Sequence, residues 1–291
     1  MSLSLPVGLN IPQGLTQLSG LTVPSGLGNT AGRDAPVLSS LFPSNAVFDL
    51  DATIAASYTN GQVWNNLVSA PASGDSQSSF NFNLGASSTA STDDPTFTGV
   101  PGTPGAYFLC DGADYFSLAG SVPSFLNLLH QNPGTNHTLI FAGQLSIGAG
   151  FRQGLFSTTN TGSASNNGIS YDIGFNALFY DQRVLATNVG SSRGGLWADG
   201  SDFLWIISYN QATNTLDIRV NNLSVSVGWT FTANTNNQVG PVPAIGANGT
   251  GSKVPNGTRI YACAMLNKYI NSTEASQIFT FYQSRHGRTY G

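Results

Sequence analysis

Phe203-Leu204-Trp205-Ile206-Ile207-Ser208-Tyr209, a polar turn over residues 210–215, then Leu216-Asp217-Ile218-Arg219-Val220: this stretch decides the fold. The first run is almost continuously apolar and rich in β-branched and aromatic residues, the pattern of a buried strand. The return run alternates apolar and polar, the period of a strand with one face in a core. Residues 203–220 therefore read as a hairpin.

The same rhythm runs outward in both directions. Val47-Phe48-Asp49-Leu50-Asp51 alternates, and Asn60-Gly61 turns the chain before Gln62-Val63-Trp64. Further strands are expected over 106–110, 137–143, 153–157, 170–175, 177–180, 224–231 and 258–266, with turn signals such as Asn167-Gly168 between them. Residues 124–130 suit one short helix. The clearest helix is terminal. Asn271 can cap it with Glu274 three residues on. Ile278, Phe281 and Tyr282 share a face. Arg285 and His286 sit in the last turn, where cations suit the helix dipole, and Gly287 suits the position after the end.

Many short strands, one small helix and one terminal helix make an all-β protein: a two-sheet antiparallel jelly-roll sandwich with an extended N-terminal arm and a short C-terminal helix. The arm, 1–45, carries Leu3, Leu5, Leu9, Ile11, Leu15, Leu18, Leu21 and Leu27, spaced by Gly, Pro, Ser and Thr that bar a helix. It is expected to dock by these side chains, on a neighbour or on its own sandwich. Residues 46–291 form the sandwich.

Composition narrows the function. Apolar residues are 40% of the 291, enough for a large core, but charged residues are only 8%, against roughly 25% in ordinary soluble chains. The polar surface must be neutral Ser, Thr, Asn, Gln and Gly. Net charge is −4 and basic residues are scattered, so nucleic acid is not an expected partner. No run reaches the length of a membrane span. The N-terminus lacks a secretory signal pattern, so synthesis in a host cytoplasm without export is expected. Cys110 and Cys263, in apolar runs, then read as buried reduced thiols.

Three segments resemble the concanavalin A-like and laminin G-like jelly rolls of the kind found in bacteriophage virion proteins. They are Val63-Trp64-Asn65-Asn66-Leu67 followed by Tyr107-Phe108-Leu109-Cys110-Asp111-Gly112-Ala113-Asp114-Tyr115-Phe116; the 203–220 hairpin ending at Asn221-Asn222; and the strand-turn-helix over 260–282. Asn222 stands where that family usually has Gly. The resemblance covers about 46–285. It implies the fold, and a habit of binding carbohydrate or protein on the concave sheet or rim loops.

Catalytic chemistry is thin. The chain has a single glutamate, Glu274, whose capping position explains it. Glycoside hydrolysis needs two flanking carboxylates. Asp49 and Asp51 share a strand face and are the nearest approach to such a pair; Asp111/Asp114 and Asp199/Asp202 read as turn residues. His130, His137 and His286 are far apart, and no nucleophile elbow or metal motif occurs. Ca²⁺ is the one candidate cofactor, through Asp93, Asp94, Asp199 and Asp202, against the plainer reading of solvated turn aspartates. For carbohydrate, Trp197 and Trp229 in loop contexts are candidate stacking platforms, with Asp199 and Asp202 to bond hydroxyls; Trp64 and Trp205 read as core.

These readings point to a non-enzymatic virion structural protein: a capsid decoration, head fibre or tail appendage anchored by its arm. Its expected partners are other virion proteins, copies of itself and host-surface polysaccharide. The alternative is a lectin-like carbohydrate-binding adhesin, and a disfavoured third is a glycan hydrolase.

Overall fold

The computed structural model describes residues 36–130, 135–146, 153–159, 168–174, 177–184, 187–194, 200–221, 229–230, 243–249 and 251–290. The N-terminal leucines and Ile11 fall outside them. In chain order the strands are β1 (Ala46–Asp51), β2 (Val63–Trp64), β3 (Phe82–Leu84), β4 (Thr96–Thr98), β5 (Tyr107–Leu109), β6 (Phe116–Leu118), β7 (His137–Gln144) and β8 (Gln153–Ser157). They continue with β9 (Gly168–Gly174), β10 (Ala177–Val184), β11 (Thr187–Gly194), β12 (Asp202–Asn210), β13 (Thr215–Val220), β14 (Trp229–Thr230), β15 (Ala244–Ile245) and β16 (Arg259–Leu266). Helices are α1 (Leu38–Leu41), α2 (Ser124–Leu128) and α3 (Ser272–His286).

The strands form two antiparallel sheets. The first runs β14-β13-β12-β7-β16-β5-β4, with β1 also on β16; the second runs β11-β10-β9-β8-β15-β6-β3-β2. The 203–220 hairpin is β12 and β13, paired from Trp205–Val220 to Asn210–Thr215. β16 is long enough to serve two partners along one edge. Arg259 and Ile260 pair with β5, and 262–266 pair with β1. β11 was not legible as a strand, because Thr-Asn-Val-Gly-Ser-Ser-Arg-Gly has no apolar alternation; its ladder with β10 supplies the order.

Between the sheets lies an aromatic core: Phe48, Trp64, Phe82, Phe108, Phe116, Phe141, Phe156, Phe203 and Trp205, with Cys263 and Met265. Trp64 and Trp205 are fully buried, as their runs implied. Each such side chain contributes roughly 1.5–3 kcal/mol of burial. Both cysteines are free and buried. A polar contact crosses this core: His137 Nε2 on β7 lies 2.7 Å from the Tyr171 hydroxyl on β9.

The first sheet is covered on its far face too. Ile140, Ala142, Leu204, Ile206, Ala264 and Leu266 pack there with Leu38, Phe42, Ile278, Phe279 and Tyr282. That second cluster explains why 203–209 is apolar at almost every position. α3 is the lid. Asn271 Oδ1 accepts from Glu274 N–H at 3.0 Å and Glu274 accepts from Asn271 N–H at 3.0 Å, so both sides of the box are closed. Gly287 ends the helix at φ +57°, a left-handed angle that favours glycine. No helix among the described residues is long and apolar enough to cross a membrane.

Candidate functional site

The acid pair on β1 comes first, because two carboxylates on one face are the nearest thing to hydrolytic machinery. Period two aims Asp49 and Asp51 away from the inter-sheet core and toward α3. There Arg285 reaches down from the helix. Its Nη1 donates to Asp49 Oδ1 at 3.2 Å and to Asp51 Oδ2 at 2.9 Å, and its Nη2 donates to Asp49 Oδ2 at 3.1 Å and to the Pro36 carbonyl at 2.5 Å. Leu38 N–H and the Tyr282 hydroxyl also donate to Asp49. His286 Nε2 lies 3.0 Å from Asp51 Oδ2, while its Nδ1 meets the Tyr290 hydroxyl at 2.5 Å.

All four ionisable groups of this clamp are buried. Burial alone would raise the Asp51 carboxyl, but His286 and Arg285 beside it hold it far below the usual range. Burial alone would lower Arg285, and the two aspartates overrule it, pushing its pKa up. A carboxylate so held can neither lose its partners cheaply nor reach a substrate. The pair is structural.

The second feature is an open depression of about 470 Å³ beside the β2–β3 edge of the second sheet, lined by Ala56, Asn65, Asn66, Ser76, Gln77, Ser78 and Asn81. Its floor is rigid. Asn66 is buried; its Oδ1 accepts from Asp49 N–H at 2.9 Å and Val68 N–H at 3.0 Å, and its Nδ2 faces the Gln77 carbonyl at 3.3 Å. Asn66 N–H donates to Asn81 Oδ1 at 2.9 Å, and Gln77 Nε2 donates to the Asn66 carbonyl at 2.6 Å. Asn81 Nδ2 then donates to Asn65 Oδ1 at 3.2 Å. The exposed rim is amide and hydroxyl: Asn65, Ser76, Gln77 and Ser78. It carries no charge and no aromatic ring. Such a lining can exchange paired donor and acceptor bonds with a neutral polyhydroxylated ligand. Sequence reading passed over it, because its polar residues come from the two ends of the one connection between β2 and β3 and show no periodicity; the Asn, Ser and Gln content of that connection is the local signal.

On β9 the outer face of the second sheet is polar. Ile169, Tyr171 and Ile173 enter the core, and Ser170 and Asp172 face the other way. Asp172 accepts from Asn248 Nδ2 at 2.8 Å, and Ser157 Oγ accepts from Gly249 N–H at 2.8 Å. The 246–249 turn therefore lies over this face. It lies so close that a Cβ on Gly154 would come 2.1 Å from the Ala247 carbonyl carbon.

The residues singled out from sequence fare differently. Trp197 and Asp199 lie outside the described residues. Trp229 begins β14, its backbone opposite Leu216. Asp202 opens β12 and accepts from the Tyr261 hydroxyl at 2.6 Å and Arg288 Nη1 at 3.0 Å. Asp93 and Asp94 accept from Ala86 and Ser91 N–H within their own loop. Asp114 accepts from Asp111 N–H at 2.7 Å; burial, with Asp111 and Asp94 adding repulsion, lifts it to about 6. Among the described residues no three Asp, Glu, His or Cys side chains are grouped to hold a metal ion.

No protein-family model matches the chain, and no curated protein matches it. Solved structures do share its fold. The binding domain of Paraclostridial Mosquitocidal Protein 1 aligns with a TM-score of 0.54 at 10% identity, over 82% of this chain and 52% of that one. A variant of the HCR/D module gives 0.53 at 9%, over 83% and 52%. Trypanosoma rangeli sialidase, solved with sialic acid, gives 0.50 at 16%, over 86% and 34%. The chain spans about half the length of the first two and about a third of the sialidase.

At such identities the likeness is one of fold. It corrects the virion reading: the named structures that share this sandwich are a binding domain, a mutant of HCR/D and a sialidase, and none is named as a virion component. The bacteriophage resemblance, the capsid and tail roles, other virion proteins and copies of itself as partners, and the virion as location are set aside with it. The physical reason is plain. A charge-poor Ser, Thr and Asn surface over a jelly roll belongs equally to a particle subunit and to a saccharide-binding module, so composition could not separate them.

Proposed function

We propose that this chain is a non-enzymatic, lectin-like carbohydrate-binding module that recognises surface glycan. The observation that carries the reading is the depression at the β2–β3 edge: exposed amides and hydroxyls on a floor fixed by buried Asn66. Pre-set polar groups of this kind bind with less ordering cost than mobile ones. The withdrawal of Asp49 and Asp51 into the α3 clamp supports the non-enzymatic half. The matched fold, which includes a toxin's binding domain, is in keeping with it. Trp197, Trp229, Asp199 and Asp202 enter the same proposal as a second, stacking contact.

The test is a glycan array followed by calorimetry on the strongest neutral hit. Asn65→Ala with Gln77→Ala is expected to weaken binding at least tenfold, with only a small fall in the thermal midpoint, because both side chains are exposed although Gln77 also holds the Asn66 carbonyl. Trp197→Ala and Trp229→Ala, made separately, assign the stacking contact. Full binding by all these variants would remove the reading, as would an array with no hit at millimolar glycan.

A further inference from the structure

Outside the depression, one corner of the first sheet gathers two arginines and two tyrosines. Asp202, Gln144 and Arg259 are successive register partners across β12, β7 and β16, and Leu109 of β5 continues the row. Their neighbours Phe203 and Ile260 enter the inter-sheet core, so this row faces the α3 side. Tyr107 and Tyr261 meet there edge to face, with ring centres 6.2 Å apart. Arg288 lies over the Tyr261 ring at 4.1 Å, and Arg259 over the Tyr107 ring at 4.9 Å.

The two guanidiniums are not equivalent. Arg288 is paired with Asp202 at 3.0 Å. Arg259 has a ring beneath it but no carboxylate within ion-pair reach among the described residues. Tyr107 and Arg259 are both part-exposed, and Gln144 beside them is too. Both arginines act on one hydroxyl: burial pushes the Tyr261 pKa up, and Arg288 and Arg259 each pull it back.

We propose that this corner binds a single carboxylate carried by a saccharide, with Arg259 as the bidentate fork, the Tyr107 ring holding that fork flat, and Gln144 bonding a hydroxyl beside it. A planar guanidinium stacked on a ring is pre-oriented and loses little freedom on binding a carboxylate. Asp202, one strand beyond Gln144, pairs with Arg288, so Arg259 is the guanidinium of the corner that is left to take a carboxylate. That the ligand is a saccharide rests on the function proposed above; the fork does not, and the test separates the two.

The experiment is calorimetry on the full chain with oligoglucuronate, its carboxyl-reduced form and tetraglutamate. Oligoglucuronate is expected to bind more tightly than its reduced form, and less so as salt rises. Arg259→Gln should weaken the acidic oligosaccharide at least tenfold, leave the reduced form and the thermal midpoint unchanged, and lose more than Arg259→Lys, which keeps the charge without the fork. Neutral-glycan binding at Asn65 and Gln77 should survive Arg259→Gln. Equal affinity in Arg259→Gln and the parent, no binding of oligoglucuronate, or equal binding of tetraglutamate would overturn the proposal. Loss of the neutral site with carboxylate binding intact would instead count against the depression alone.

Discussion

The two sheets of this sandwich solve the same problem in opposite ways. β12 of the first sheet is apolar on both faces, because the aromatic core lies on one side and α3 on the other. β9 of the second sheet alternates: Ile169, Tyr171 and Ile173 inward, Ser170 and Asp172 outward. The first sheet is closed by a helix and an ion cluster. The second is polar on the outer face of β9, beneath the 246–249 turn, and has an open polar depression at its β2–β3 edge. Closure buries Asp49, Asp51, Arg285 and His286 where they hold the fold, and leaves a neutral lining at the open edge.

The largest effect that could break this contrast is at the clamp. Arg285→Met leaves Asp49 and Asp51 buried without their cation, and should cost about 3–5 kcal/mol in urea unfolding. A loss below about 1 kcal/mol would mean that the apolar face of α3 closes the sheet and the charges are incidental.

Acid sharpens the comparison next. Burial lowers the His137 pKa from 6.5 to about 4, and the ring so kept neutral bridges the two sheets to Tyr171. A depressed folded value means that the unfolded chain binds the extra proton. The contribution is whole above pH 6.5 and is lost as pH falls toward 4. It amounts to about 3 kcal/mol by the size of the shift. Asp51 is depressed as well, so its share is whole above the ordinary carboxylate range and fades only in stronger acid. Urea midpoints from pH 7.5 to 4.5 should fall for the parent chain and fall much less for His137→Gln; parallel curves would rule out the histidine.

The smallest effect is at the helix entry. Asn271→Ala removes one side of the closed box and should cost about 1 kcal/mol, with glycan binding unchanged. A change in binding would tie the lid to the depression, which the contrast between the sheets does not anticipate.

The sequence made some of this legible and hid the rest for definable reasons. The 203–220 hairpin, the Asn271 cap and the shared face of Asp49 and Asp51 follow from local periods and spacing, and all are present. Arg285 and His286 were read as dipole partners at a helix end. Their position in the last turn is right, but their side chains turn inward to acids more than 230 positions earlier, a pairing no local pattern carries. β11 escaped notice because Gly, Ser and Asn hide its period. The depression escaped because amides more than ten positions apart in the β2–β3 connection become neighbours only through Asn66. The error of function came from a surface chemistry that two kinds of protein share.

β16 has a consequence for how the chain is made. It sits between β7 on one edge and β5 and β1 on the other, yet it follows all three in chain order. Until residue 266 emerges, β1 and β5 lack the strand that joins them, and Asp49 and Asp51 wait longer still for Arg285. The nascent protein must therefore hold a half-built sheet until β16 has been made, with bare strand edges that invite association. Slowing the ribosome just before β16 should lengthen that exposure, and aggregation of arrested chains should stop once α3 has cleared the exit tunnel.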